Sequence, residues 1–463
     1  MNSRSQMGKP KKQKLDGGEE MNEGCKSLSN LPDVLIGKIL GLVPTKEAIR
    51  TSILSKRWEY LWTSVPNLDF TQAMLDKRTS LVNVVERALL LRGPADIKRF
   101  SLSFPVLSDA SRVHSWISAT VRRNVEVLSI CLYGFKEPLK EPNLLPCSLF
   151  TSSTLKELEL CLPCIFKVPC TVCFSSLRSL TLTLLVFSDD CSTQKLFSGC
   201  PVLEELTLQD CNWANLKFVS ICAPKLLTLS INEMDLQYPR GSDGCQIMVF
   251  SGSLKDLSYV GRFQNDYCFY NLSSLTEAYI CHNSTKSLRH LIYRFYKLLT
   301  ALSSVRNLTI CHTFFEDVQT NAPELLDYMP LFNDLTTLIL ESSPVDIRSK
   351  GLLRILQNCP CLQTMIFCEG ISLSSEYAKD DGILEPWPPC FLSSLQVIEV
   401  NTFYGDLEEI HALEVLLKNA KVLEKMSITC SNNFQGAQEK KRDVNKQLSD
   451  VPKGSESCEI VLG

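Results

Sequence analysis

Histidine is scarce in this 463-residue sequence, and the few present are too scattered to form one catalytic set: His114, His282, His290, His312 and His411. Glycine-rich phosphate loops and the GxSxG and HExxH motifs are missing as well. Nucleotide-driven, nucleophilic and metal-assisted chemistry depend on such groups. We therefore predict that the chain is not an enzyme and needs no cofactor.

Long apolar runs and excess charge are also missing. No run of about eighteen apolar residues offers a membrane span, and a formal net charge of -3 gives no global attraction to nucleic acid. The N-terminal stretch has no apolar signal core behind its charges, so the 21 cysteines are expected to be thiols in a reducing compartment, nucleus or cytoplasm. The composition predicts a soluble protein with neither membrane nor nucleic-acid partners.

Residues 31–70 are typical of a compact helical module. Pro32 opens a first helix with Asp33 in its first turn, and Pro44 ends it. Apolar residues recur at helical spacing in both halves: Leu35, Ile36, Ile39, Leu40 and Val43, then Ala48, Ile49, Ile53, Leu54, Trp58, Leu61 and Trp62. About forty residues cannot bury this much apolar surface among themselves, so we expect part of it to meet a partner.

This segment resembles the F-box of plant F-box proteins. The match includes Leu31-Pro32-Asp33, Ile39-Leu40, Leu42, Leu54-Ser55-Lys56-Arg57-Trp58 and Leu61-Trp62. The resemblance implies docking on a Skp-type adaptor and, through it, on a cullin in a ubiquitin ligase of the SCF kind. The alternative is a helical hairpin that only caps the domain that follows. Eight residues are predicted to form the adaptor interface or the packing that shapes it: Leu31, Pro32, Ile36, Ile39, Leu40, Leu42, Trp58 and Trp62.

Beyond this module the spacing LxxLxL recurs thirteen times, clearly or weakly, at irregular intervals. In the copy STLKELEL, Leu158 and Leu160 point inward at period two, and Leu155 fills the turn before the strand. One coil cannot bury such leucines, so the coils must stack. The pattern predicts an α/β fold in which a small helical module precedes a leucine-rich-repeat solenoid with a parallel concave sheet.

Alternation along the strands places polar residues on the concave face, where such solenoids usually bind. Its first half is acidic and rich in hydroxyl groups, so we predict that an unknown target protein offers a basic segment there. The candidate residues are Glu157, Glu159, Glu205, Thr207, Asp256, Glu277 and Tyr279.

The cysteines give two further patterns. Cys161, Cys164, Cys170 and Cys173 form two CxxC pairs separated by only five residues, too few for a zinc ribbon. Ile-Cys-His occurs at 280–282 and again at 310–312. In neighbouring coils, Cys281 and Cys311 would lie about 4.8 Å apart, close enough to share a metal or an oxidant. The interpretation we favour is that cysteine is a tolerated small residue after these strands, with no metal site.

The C-terminal repeats resemble the FBD module of plant F-box proteins, through Trp387-Pro388, Cys390, Phe403, Gly405 and Val422-Leu423-Glu424-Lys425-Met426. The same residues also fit a plain solenoid cap. Both termini are polar and are expected to be disordered. The predicted organisation is a tail at 1–27, an F-box at 28–71, a solenoid at 72–384, an FBD module or cap at 385–430 and a tail at 431–463.

These patterns together predict the substrate-recognition subunit of an SCF-type ubiquitin ligase, with the repeats binding the target. Two alternatives remain. One is a repeat scaffold that causes no target turnover, and the other is a co-receptor that binds a small molecule. The co-receptor usually needs a basic cluster on the concave face, which the predicted row lacks.

Overall fold

The computed structural model describes residues 31–71, 78–92, 96–105, 110–133, 144–233, 244–282, 289–311, 313–373, 384, 386–431 and 437–463. The predicted tail at 1–27 lies outside the described residues. The chain forms two compact units, Met1–Val65 and Pro66–Gly463. Among the described residues, no helix has the length and apolar character needed to cross a membrane.

The described part of the first unit, residues 31–65, is helical. It contains α1 (Asp33–Leu40), α2 (Thr45–Arg50) and two short 3-10 helices, Thr51–Ile53 and Leu61–Ser64. Pro32 fixes the entry to α1, because its carbonyl accepts the backbone N–H groups of Leu35 and Ile36. The Arg57 guanidinium donates to the Asp33 carboxylate at 2.9 Å, which ties the later segment to the start of α1.

The second unit is built on one parallel sheet of fifteen strands. From one edge of the sheet to the other, the strands are β1 (Asn67–Phe70), β2 (Arg99–Pro105), β3 (Val127–Tyr133), β4 (Glu157–Cys161), β6 (Ser179–Thr183), β8 (Glu205–Gln209), β10 (Thr228–Asn232), β12 (Asp256–Gly261), β14 (Glu277–His282), β15 (Asn307–Cys311), β16 (Thr337–Glu341), β18 (Thr364–Phe367), β20 (Val397–Phe403), β21 (Lys425–Cys430) and β22 (Glu459–Leu462).

Helices and small sheets fill the connections between these strands. The helices are α3 (Arg78–Leu91), α4 (Ala110–Val121), α5 (Asp190–Ser198), α6 (Arg289–Ala301), α7 (Thr313–Asn321), α8 (Lys350–Gln357), α9 (Pro389–Ser393), α10 (Leu407–Asn419) and α11 (Ala437–Asp450), with 3-10 helices at Cys147–Thr151 and Pro323–Tyr328. The small parallel sheets pair β5 (Ile165–Phe166) with β7 (Val186–Phe187), β11 (Gln246–Phe250) with β9 (Phe218–Cys222) and β13 (Asp266–Tyr270), and β17 (Val345–Asp346) with β19 (Ile371–Ser372).

Stacked leucines explain this sheet. Leu158 pairs in register with Leu180, which pairs with Leu206, and all three are buried. Leu155 is buried before its strand, as the repeat predicts. The next coil covers the leucines of each coil, and this stacking confirms the predicted solenoid.

Two segments have a structure that their predicted domains did not imply. The segment Asn67–Phe70, assigned to the F-box, is the first strand of the long sheet and pairs with Arg99–Leu102. Its Leu68 and Phe70 are buried while Asn67 is exposed, which is the alternation of a sheet with one covered face.

The expectation of disorder in the predicted tail at 431–463 was wrong for residues 437–463, which form α11 and β22. Val444 and Leu448, four residues apart on α11, are both buried. β22 pairs with β21 from Glu459 to Leu462 and so covers the edge that β21 would otherwise expose. A polar segment thus becomes ordered through two apolar anchors and a ladder of backbone hydrogen bonds.

A buried carboxyl lies at the end of β10. Glu233 Oε1 accepts from Asn265 Nδ2 and from the Tyr267 hydroxyl, each at 2.6 Å, and Oε2 accepts from the Tyr259 hydroxyl at 3.1 Å. Burial raises the pKa of Glu233, although these three donors oppose that shift. The cluster links β10 to the two coils that follow it.

Candidate functional site

The F-box unit exposes large apolar side chains. Leu42 and Ile53 are each 86% exposed, and several others are also exposed: Val34, Leu35, Ile39, Val43, Leu54 and Tyr60. They come from α1, the turn after it and the segment after α2. So many exposed apolar side chains in so small a unit are typical of a protein-binding surface.

The eight predicted adaptor residues divide into two groups. Pro32, Ile39 and Leu42 are exposed and Leu31 is half-buried. The interior holds the other four: Ile36, Leu40, Trp58 and Trp62. These four supply packing, which was one of the two roles expected of the set. Val34 and Ile53 were not among the eight predicted residues, although both are exposed. The signal that could have identified them is an apolar side chain in a module too small to bury all of its apolar residues.

On the open face of the sheet, the side not occupied by the leucines, polar residues form a row from strand to strand. Glu157 pairs with Ser179, Ser179 with Glu205, and Glu205 with Thr228. The row continues through Asp256 to Glu277. We call the residues Glu157, Ser179, Glu205, Thr228, Asp256 and Glu277 the acidic row. A second row runs beside it and contains the other predicted residues, Glu159, Thr207 and Tyr279.

Several side chains of these two rows already have partners within the chain. Arg99 Nη2 lies 3.8 Å from Glu157 Oε2, and the Ser129 hydroxyl donates to Glu159 at 2.7 Å. The Tyr279 hydroxyl donates to Glu341 at 2.9 Å. Glu205 and Glu277 are exposed.

A shallow cavity of about 530 Å³ lies on this face, and it is lined by Thr228, Asp256, Leu257, Ser258, Glu277, Ala278, Tyr279, Asn307, Thr309, Thr337 and Ile339. Two of these residues are acidic and none is basic. Partial burial, followed by the nearby Glu277 charge, raises the pKa of Asp256. The cavity therefore favours a cationic group over an anionic one.

The Cys281 and Cys311 sulfurs meet on neighbouring strands, with Sγ atoms 3.3 Å apart. The sequence placed these residues in adjacent coils, and the register of β14 with β15 confirms that placement. In the described part of the chain, no three metal-ligating side chains converge on one point.

Three family models match separate parts of the chain: the F-box domain at 28–70, the LRR repeats of FBD-associated F-box protein At5g56370 at 113–238, and FBD at 385–428. The chain is 30% identical to F-box/FBD/LRR-repeat protein At5g56420 of Arabidopsis thaliana, over 94% of this chain and 98% of that relative. The chain belongs to the F-box/FBD/LRR-repeat family. It is also 32% identical to FBD-associated F-box protein At5g38590 of the same plant, over 87% of this chain and 93% of the relative.

Family membership confirms both resemblances seen in the sequence. The FBD match spans β20, α10 and β21, so this module is continuous with the repeat sheet. The F-box match covers α1, α2 and the exposed apolar side chains around them. An F-box indicates a substrate-adaptor role and binding to a Skp-type adaptor.

Proposed function

We propose that this F-box/FBD/LRR-repeat protein is the substrate-recognition subunit of an SCF-type ubiquitin ligase. The F-box docks on a Skp-type adaptor and through it on a cullin, while the repeat unit holds a target protein. The chain performs no bond chemistry itself. It raises the effective concentration of target lysines near ubiquitin carried by other subunits.

The observation that carries this proposal is the exposed apolar surface of residues 31–65. Fully burying one leucine or isoleucine contributes about 1.5–3 kcal/mol. Leu42 and Ile53 are almost fully exposed, so an adaptor that covers both side chains gains several kcal/mol.

The direct test is association of the full chain with a Skp-type adaptor. We expect co-purification of the two proteins and saturable binding in a titration, both weakened by the double change Leu31→Ala, Pro32→Ala. Pro32 is exposed and its carbonyl begins α1, so the variant alters both the surface and the entry to the helix. Folded protein without measurable adaptor affinity would contradict the ligase proposal.

The acidic row is proposed to receive a basic segment of the target. Changing Glu205 and Glu277 to lysine should weaken binding of an oligolysine peptide by about tenfold, because two attractive charges become repulsive. Fluorescence titration at low and at physiological salt measures the effect, which salt should reduce. The double change Glu408→Lys, Glu456→Lys is the matched control, since Glu408 on α10 and Glu456 in the turn before β22 are both exposed and lie outside the sheet. Equal weakening by the control would show that net charge alone is responsible.

The cavity bears on the co-receptor alternative. Its lining offers Asp256 and Glu277 and no basic side chain, so an anionic small molecule finds no counter-charge in it. A cationic side chain of a bound target fits the same lining. The cavity thus supports the protein-target proposal over a small anionic ligand.

A further inference from the structure

Cys281 and Cys311 occupy equivalent places on two paired strands. Ile280 pairs with Ile310 in the register of β14 with β15, and the two cysteines follow directly. Cys281 is partly exposed, whereas Cys311 is buried. The free thiols lie with their sulfurs 3.3 Å apart, so one sulfur is the nearest reactive neighbour of the other.

Hydrogen-bond donors surround the Cys311 sulfur. The Cys281 thiol, the Ser342 and Thr313 hydroxyls and the His282 backbone N–H act on it, and together they lower the pKa of Cys311 to about 6. The Cys281 pKa rises, first because its proton is held by Cys311 and then because of burial. Cys311 is therefore the nucleophile of the pair and Cys281 the thiol that carries a proton.

Ser342 strengthens this assignment. Its φ is 97°, in the left-handed region that favours glycine, yet the position carries a hydroxyl, which contacts Cys311 Sγ. The Ser342 backbone thus holds a hydroxyl against the buried Cys311 sulfur in a conformation that persists only where the surrounding structure imposes it.

We propose that Cys281 and Cys311 are an oxidation site that forms a reversible disulfide with a hydroperoxide as the oxidant. The Cys311 thiolate attacks the terminal peroxide oxygen, the O–O bond breaks, and the leaving oxygen takes up a proton as alcohol or water. Cys311 is then a sulfenic acid. The Cys281 sulfur attacks the Cys311 sulfur, the S–O bond breaks, and water leaves with the Cys281 proton. Two thiols lose two electrons, and the peroxide gains them.

The backbone already suits the product. Neighbouring strands are about 4.8 Å apart, which lies within the Cα separations that disulfides accept. The sulfurs need to approach by only about 1.3 Å to reach the S–S bond length of about 2.0 Å. The reaction therefore needs no separation of the strands.

The chain contains its own matched comparison. Cys131 and Cys161 also face each other, on β3 and β4. There, burial and the neighbouring Cys131 thiol raise the pKa of Cys161 to about 12. In this second pair burial disfavours the Cys161 thiolate, so the pair should form a disulfide more slowly than Cys281 with Cys311.

The test is oxidation of the purified full chain by peroxide, together with any protein that co-purifies with it. Hydrogen peroxide is added at neutral pH, remaining thiols are alkylated at intervals, and non-reduced digests are examined by mass spectrometry. We expect a peptide joining Cys281 to Cys311 to accumulate about tenfold faster than one joining Cys131 to Cys161, and to disappear on reduction.

Two variants separate the steps. Cys281→Ser removes the second sulfur and should leave a Cys311 sulfenic acid, which dimedone labels when the oxidised chain is unfolded in its presence because the folded chain buries Cys311. Ser342→Ala keeps both sulfurs and removes one donor, so disulfide formation should slow. Equal rates for the two cysteine pairs, or no peptide joining Cys281 to Cys311 after peroxide treatment, would overturn the proposal. The test involves neither adaptor nor target, so its outcome is independent of the proposed ligase role.

Discussion

Changing Leu42 and Ile53 to aspartate should lower the affinity of the chain for a Skp-type adaptor by at least about a hundredfold. Each side chain is 86% exposed, so its loss costs the fold little, while the complex loses the burial of two large aliphatic groups. Each aspartate must also give up hydration at an apolar interface. A hundredfold loss corresponds to about 2.7 kcal/mol, less than the burial of two such side chains.

Calorimetric titration of the adaptor into wild-type and variant chains measures this loss. Leu90→Asp is the control, because Leu90 is 81% exposed on α3, in the repeat unit, and the change is chemically the same. Its adaptor affinity should equal that of wild type. A double variant that still binds within about threefold would remove Leu42 and Ile53 from the interface and weaken the argument from exposed apolar surface.

The repeat unit could be predicted from sequence because its signal is strictly local. In ELELC, the alternation of Glu157 and Leu158 fixes which side chain faces the core, and repetition of the pattern fixes the strand order. The acidic row follows from the same alternation, since register aligns Glu205 with residues of the flanking strands. Period and repetition therefore fixed both the fold class and the candidate target face.

Helical spacing was less informative in the F-box. It identified one apolar set, but Ile36 is buried while Ile39, three residues later, is exposed. Which side of a helix meets its own unit depends on the packing of segments distant in sequence. Contacts between distant segments, such as the one between Arg57 and Asp33, accompany that packing, and no periodic pattern contains them.

The last strand was missed for a different reason. Residues 437–463 are polar on average, so composition predicts disorder. β22 gains its order from backbone pairing with β21, which places no demand on side-chain polarity. Gly454 also passes close to the end of α10, where a β-carbon would lie 2.7 Å from the Lys418 carbonyl oxygen. Both effects depend on a neighbour that is already folded.

The Glu233 cluster was also beyond sequence patterns, because its three partners lie 26 to 34 residues further along the chain. Glu233→Ala should lower the free energy of unfolding by about 3 kcal/mol or more. The change removes the acceptor of the Tyr259, Tyr267 and Asn265 donors, and each buried donor left unsatisfied costs about 1–3 kcal/mol. Urea unfolding of the full chain measures the difference, with exposed Glu157→Ala as control.

The pH dependence of this cluster separates charge from packing. Because burial raises the pKa of Glu233, the folded chain holds this proton more tightly than the unfolded chain. The stability that Glu233 contributes by binding this proton is therefore fully present below the pKa of about 4.3 that a glutamate has in the unfolded chain. It is lost as pH rises through the pKa of Glu233 in the folded chain. Glu233→Gln has no proton to lose, so between about pH 5 and about pH 8 it should lose less stability than wild type. Identical pH profiles for wild type and Glu233→Gln would mean that Glu233 is ionised in the folded chain, because its three donors then outweigh the cost of burial.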